Sequence, residues 1–360
     1  MDISKIDRNF KIEHHIDEEN VVLYDVRSEP FDLYGLYNPT EEADFKRMPD
    51  EIAKNVNEGV ASLYLNTAGG RVRFATDSRY VAIKAEMPSL THFSHMPFSG
   101  TSGFDLYLDD PVSDSTRYVK SYFADMRATE GFEGKVSFSD RKMRYFTLNF
   151  PTYNSVKNLW IGLEDDATVD HGLSYKPLAP VVYYGSSITQ GGCSSRPGNA
   201  YQAIVSRRMN MDFLNLGFSG SGKGEDLILD YMAGLNMSVF VSDYDHNAPT
   251  VEHLKNTHCK LYEKIRAAHP DIPYIMLSKP DFLGNVFHNS ERRDVIIDTF
   301  RYAKERGDKN VYWIDGESIF RGPYAQLCTV DGCHPTDIGF ALMADAVEHE
   351  IRTAFTQRYL

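Results

Sequence analysis

Up to about residue 175, apolar and polar positions alternate with a period of two in short runs. These are NVVLYDV, GVASLYLNT, RVRFAT, YVAIKAEM, FDLYLDD, RYVKSYF, KVSFS, YFTLNF and LWIGLE. Gly, Asn, Asp and Pro separate them, the grammar of an all-β sandwich. One helical turn, PDEIAKNVN at residues 49–57, interrupts the series. From Val181 the pattern changes to continuous apolar runs: VVYYG, DFLNLG, SVFVSD, PYIMLS and NVYWID. A longer stretch follows each run, often with helical spacing. After SVFVSD, Val251, Leu254, Leu261 and Ile265 fall on one helix face. Strand, helix, strand repeated about five times predicts a parallel sheet covered on both faces. Residues 164–180, with charges, glycine and two prolines, read as a linker. The chain therefore divides into residues 1–175, an all-β sandwich of jelly-roll-like type, and residues 176–360, an α/β domain.

Composition narrows the partners. A formal net charge of −13 argues against nucleic acid or an anionic membrane, since either attracts a basic face. With 42 % hydrophobic residues there is ample material for two packed interiors. The N-terminal MDISKIDRNFKIEHH has no apolar signal core, and no run approaches the ~18 residues that span a bilayer. The expectation is a cytoplasmic protein whose four cysteines, Cys193, Cys259, Cys328 and Cys333, stay as thiols.

Candidate chemistry starts at GSSIT, residues 185–189, just past the first strand of the parallel sheet. Ligands of such sheets sit beyond the carboxyl ends of the strands. A Ser-rich turn can simply hydrogen-bond its own backbone, so Ser187 gains meaning only with a base. DGCH, residues 331–334, offers one: Asp331 and His334 are three residues apart, before a helix opened by Pro335 and Thr336. A serine hydroxyl needs an imidazole in hydrogen-bond reach, and the imidazole needs an acid to fix its tautomer.

Taken in order, GSSIT, NLGFSG (residues 215–220) and DGCH resemble the motifs of the SGNH (GDSL-type) hydrolase superfamily. GFDLY, residues 103–107, resembles the GxDLY signature of a β-sandwich domain preceding some bacterial SGNH domains. The resemblance implies a three-layer αβα hydrolase domain and a carbohydrate acetyl esterase. Ser187 would be nucleophile, His334 base and Asp331 the orienting acid. The oxyanion hole would comprise the Ser187 N–H, the Gly220 N–H and an asparagine amide. Losing one such donor costs about 10²–10³ in rate. The usual Gly-x-Asn-Asp is replaced by SDYDHNAP, residues 242–249, where Asn247 is the one amide and the assigned donor. Asp243, Asp245 and His246 are candidates to bind substrate hydroxyls or support that loop. Phe218 and Tyr244, at strand ends, are the better aromatic candidates for the pocket. Tyr183, Tyr184 and Trp313 fall inside strands and read as core.

No cofactor and no metal are expected, because a cluster of Asp243, Asp245, His246, Asp331 and His334 around an ion would leave the serine motif idle. His92 and His95 read as a surface or domain-contact pair rather than a ligand set. Cys193 and Cys333, near the motif residues, read as small apolar filler. The segment 278–285, with Phe282, should reach the pocket rim. The substrate expected is a small-molecule or oligosaccharide ester, such as acetylated mannan or xylan fragments. The β half is open to sugar binding, to closing the pocket or to forming a homo-oligomer face. The rivals are a lipase, thioesterase or arylesterase with the same triad, and a non-catalytic carbohydrate-binding protein.

Overall fold

A computed structural model describes residues 15–113, 115–280 and 288–357. The chain forms two compact units. One holds the described residues up to Lys46, with Leu65–Ser174 and Arg196–Gly198. The other holds Arg47–Tyr64, Tyr175–Ser195 and the residues from Asn199 on.

The first unit is built from two antiparallel sheets. One sheet orders β1 (Val21–Asp25), β9 (Asn158–Glu164), β4 (Tyr80–Glu86) and β7 (Phe132–Ser137). The other orders β10 (Val169–His171), β3 (Arg71–Thr76), β8 (Arg144–Asn149), β5 (Phe104–Asp109) and β6 (Thr116–Tyr122), with β2 (Asp32–Tyr34) also on β3. A one-turn helix, α3 (Phe98–Thr101), precedes β5. Alternate residues of both sheets face one core: Val81, Ile83, Leu159 and Ile161 meet Phe74, Leu106, Phe146 and Leu148. Phe74 and Phe146 stack there with ring centroids 5.3 Å apart. The alternation thus produces the expected sandwich.

Two expectations in this half are corrected. GVASLYLNT is not a strand run: α2 (Glu58–Leu63) follows α1 (Asp50–Val56), and both belong to the second unit. The Asn57 side chain accepts a hydrogen bond from Val60 N–H at 2.8 Å, an N-cap that favours helix over alternation. The stretch 164–180 is not all linker either, because β10 within it pairs antiparallel with β3.

The second unit carries a five-stranded parallel sheet. Its order is β12 (Phe213–Gly217), β11 (Val181–Gly185), β13 (Val239–Asp243), β14 (Tyr274–Leu277) and β15 (Val311–Ile314). Every apolar run named above as a strand of this half becomes one. On one face Val181, Tyr183, Val241 and Ile275 pack with residues of α5 (Tyr201–Met209) and α9 (Asp337–Gln357), including Tyr201, Phe340 and Val347. On the other lie α6 (Asp226–Ala233), α7 (Val251–Ala268) and α8 (Asn289–Glu305). There Tyr274 of the sheet meets Tyr262 of α7, ring centroids 5.5 Å apart. Leu254, Leu261 and Ile265 form the buried stripe of α7, while Val251 is only half-buried. Helix, sheet and helix make the three layers expected. Among the described residues no helix is long and apolar enough to cross a membrane.

Candidate active site

The sheet order reverses at β11: the chain leaves it for β12 on one side and returns to β13 on the other. Such a switch opens a crevice at the carboxyl ends of the central strands. Ser187 stands there as the first residue of α4 (Ser187–Gln190), a one-turn helix after β11. The Ser186 side chain caps the turn, accepting from Ile188 N–H at 3.1 Å, and Gly191 closes it at φ 102°. Ser186 therefore holds the turn that presents its neighbour.

Ser187 Oγ lies 2.9 Å from His334 Nε2, and His334 Nδ1 lies 2.8 Å from Asp331 Oδ2. The second Asp331 oxygen accepts from the N–H groups of Cys333 and His334, at 3.0 and 2.8 Å. Burial acts to raise the Asp331 carboxyl, but the bonds from the His334 backbone and ring outweigh it, leaving it below the usual carboxylate value. It is an ionised acceptor facing an imidazole that faces a hydroxyl. A proton leaving Ser187 has an acceptor in His334 Nε2, and the imidazolium that receives it has a counter-charge in Asp331.

Gly220 lies on the loop after β12. Its φ of +66° is open to glycine at little strain, and a Cβ there would meet nothing within 4 Å. The loop is tied to the Ser187 helix through Ser219 N–H, which donates to Gln190 Oε1 at 3.0 Å. Asn247 follows β13, and its Nδ2–H donates to the Phe218 carbonyl at 2.9 Å. The amide thus has one N–H turned onto the neighbouring loop.

The other expected pocket residues are mostly interior. Phe218, Tyr244 and Asp243 are at most 1 % exposed and Asp245 is 2 % exposed, so in this structure they offer a substrate no surface. Phe218 lies under the Arg47 guanidinium, 4.5 Å from its ring centroid, and the Tyr244 hydroxyl donates to Thr257 Oγ1 at 3.0 Å. Asp243 Oδ2 accepts from Thr189 Oγ1 at 3.0 Å, joining α4 to β13. Burial and the neighbouring Asp245 hold the Asp243 carboxyl well above the usual range. Asp245 accepts from His246 N–H at 2.9 Å and from Lys279 N–H at 3.1 Å. Ligand-type atoms of Asp243, Asp245 and His246 come within 4.8 Å of one another, but both oxygens of Asp245 are already engaged with protein N–H groups. Asp243 and Asp245 are thus tied to neighbouring elements, as the loop-supporting alternative expected, whereas Phe218 and Tyr244, expected at the pocket, are enclosed by Arg47 and Thr257.

Cys193 is buried at φ +72°, and burial, with Asp331 and Cys333 nearby, pushes its thiol up to about 12. An unionised buried thiol suits the filler role. His92 and His95 are exposed, and His92 stacks on Phe98 at 4.2 Å. Phe282 and most of the expected rim segment lie outside the described residues. Arg47 and Arg292, both buried against this site, went unread in the sequence. Their only signal is that neither arginine lies on a regular polar face.

Residues 178–352 match the model of the GDSL-like lipase/acylhydrolase family, and residues 21–169 match that of the N-terminus of SGNH hydrolase-type esterases. Its C-terminal domain is thus of the GDSL-like lipase/acylhydrolase family, and its N-terminal domain is that of SGNH hydrolase-type esterases. This GDSL-like hydrolase is a carboxylic-ester hydrolase. It is similar to a Bacteroides ovatus protein described as a GDSL-like lipase, with 25 % identity, TM-score 0.83, and 94 % and 98 % of the two chains covered. The salicylyl-acyltransferase SsfX3 of a tetracycline biosynthetic pathway has 19 % identity and TM-score 0.71 over 93 % of this hydrolase and 98 % of that chain. A family two carbohydrate esterase from Clostridium thermocellum, in complex with cellohexaose, has 14 % identity and TM-score 0.59 over 91 % and 99 %. A search among curated proteins finds no match to this hydrolase.

Proposed function

We propose that the hydrolase is a serine esterase removing O-acetyl groups from carbohydrates, with plant-polysaccharide oligosaccharides such as acetylated mannan or xylan as substrates. The observation that carries the reading is the continuous relay from Ser187 Oγ through His334 to Asp331, at 2.9 and 2.8 Å. Ser187 attacks the acetyl carbonyl as His334 Nε2 takes its proton. The oxyanion rests on the N–H groups of Ser187 and Gly220 and on the Asn247 amide. Collapse of the tetrahedral intermediate expels the sugar hydroxyl, protonated by His334, and leaves acetyl on Ser187. Water, deprotonated by the same imidazole, then releases acetate. The carbohydrate part draws on the likeness to the cellohexaose-bound esterase.

Turnover of p-nitrophenyl acetate against longer acyl esters tests the acyl part. Mass spectrometry of defined acetylated oligosaccharides tests the sugar part. Short acyl chains should be preferred, acetate should be released, and Ser187→Ala should lower kcat by about 10³-fold or more. Preference for long chains would move the reading to a lipase. Absence of any ester turnover would leave a binding protein.

A further inference from the structure

Two buried arginines bracket the two loops that carry the assigned oxyanion donors. β12 is an edge strand, so alternate carbonyls of it point away from β11 and need another donor. Arg47, far away in sequence but in the same unit, supplies it. Its Nη1 donates to the carbonyls of Asn215 at 3.1 Å and Gly217 at 2.6 Å, and its Nη2 donates to Leu63 O at 2.8 Å. Beyond Gly220, Asn57 Nδ2–H donates to Ser221 O at 3.0 Å. Gly220 is therefore held between fixed points at Gly217 and Ser221, both supplied by the segment Arg47–Tyr64.

Asn247 is treated alike. Arg292 of α8 donates through Nη1 to the carbonyls of Asp245 and Ala248, the latter at 2.9 Å, one on each side of the amide. The two loops meet at Phe218, whose ring lies under Arg47 and whose carbonyl accepts from Asn247. A guanidinium suits this task, because its rigid planar donors reach two carbonyls at once and stay charged while buried.

We infer that Arg47 and Arg292 are positioning residues of the oxyanion hole, each fixing one donor loop through its backbone carbonyls. The inference rests on the esterase reading above. Neither arginine touches the reacting atoms; each acts through Gly220 or Asn247. A donor misplaced by ~1 Å costs about 10²-fold in rate. The loss should fall on kcat, because the oxyanion forms only in the transition state.

The test measures kcat and KM for p-nitrophenyl acetate in Arg47→Met, Arg47→Lys, Arg292→Met and Arg292→Lys, per active site titrated with diethyl p-nitrophenyl phosphate. Inhibition by phenylboronic acid, whose serine adduct is tetrahedral, is measured beside it. The Met variants should lose about 10- to 100-fold in kcat with KM within about threefold, and boronate inhibition should weaken in step. The Lys variants should recover part of both. Where a Met variant does not fold, its Lys counterpart decides. Values of kcat per site within about threefold of the parent would overturn the inference, as would a loss confined to KM with boronate affinity unchanged. Turnover that survives Ser187→Ala would instead sink the esterase reading itself, whatever the arginine variants do.

Discussion

His258 is buried on α7, where its Nδ1 lies 2.8 Å from Thr299 Oγ1. Burial lowers its pKa to about 4, and the charge of Asp245 offsets this only in part. An unfolded chain takes up that proton near pH 6.5, so the folded state gives up stability as pH falls from about 6.5 to 4. The gap corresponds to roughly 3 kcal/mol, fully present above pH 6.5 and gone below 4. His258→Gln, which keeps a polar partner for Thr299, should flatten the stability profile in that window. Urea denaturation at pH 7, 5.5 and 4.5 checks it, and an unchanged slope refutes it. At this scale the sequence exposes chemistry but not burial. Ser187, Asp331 and His334 could be picked out because their motifs are local. The strand-end positions of Phe218 and Tyr244 suggested a pocket wall, and only packing reveals that arginine and threonine close over them.

Among the elements, the loop after β12 is the one most tightly coupled to the nucleophile. Gly217 faces α4 so closely that a Cβ would come 2.3 Å from Gln190 N and 2.5 Å from Thr189 C. Both are backbone atoms and cannot turn aside. Gly217→Ala should therefore push α4 off its seat and lower kcat for p-nitrophenyl acetate by about 10²-fold. Gly220→Ala meets no atom, so its penalty is the backbone strain of φ +66°, about 1 kcal/mol. A Gly217→Ala enzyme with parent kcat would show that α4 tolerates the shift. The strands of the α/β half were legible because a doubly covered strand must be apolar throughout. α2 was not, since Gly59, Val60, Ser62 and Leu63 fit two periods and the deciding cap at Asn57 is a single side chain. β10 was missed because three residues, two of them polar, leave no period to read.

For the whole molecule, sequence halves and folded units differ. The residues Arg47–Tyr64 lie among sandwich strands in the sequence yet complete the second unit, where Arg47 covers the β12 edge. A fragment of residues 176–360 should lack that cover, expose an unpaired strand edge and self-associate. It should also turn over p-nitrophenyl acetate at least about tenfold more slowly per titrated site. Fusing residues 47–64 to it through a flexible linker should recover part of both losses. Sedimentation velocity and active-site titration check this, and a monomeric fragment with parent kcat would contradict it. No periodicity argument could have found the exchange, because it rests on backbone carbonyls satisfied by side chains more than a hundred residues distant.

The reverse exchange concerns Asp105, the acidic residue of GFDLY. It is fully buried, and its Oδ2 accepts from Gly198 N–H at 2.9 Å, while the Tyr107 hydroxyl accepts from Arg196. During synthesis, Asp105 therefore lacks this donor until residues 196–198 are made, and Arg47 lacks the β12 carbonyls until residues 213–217 are. At ribosomal speeds of about 5–20 residues per second, those waits last from about 5 to about 30 seconds. The two units are interleaved along the sequence, so a nascent chain that ends before Gly198 holds neither of them whole.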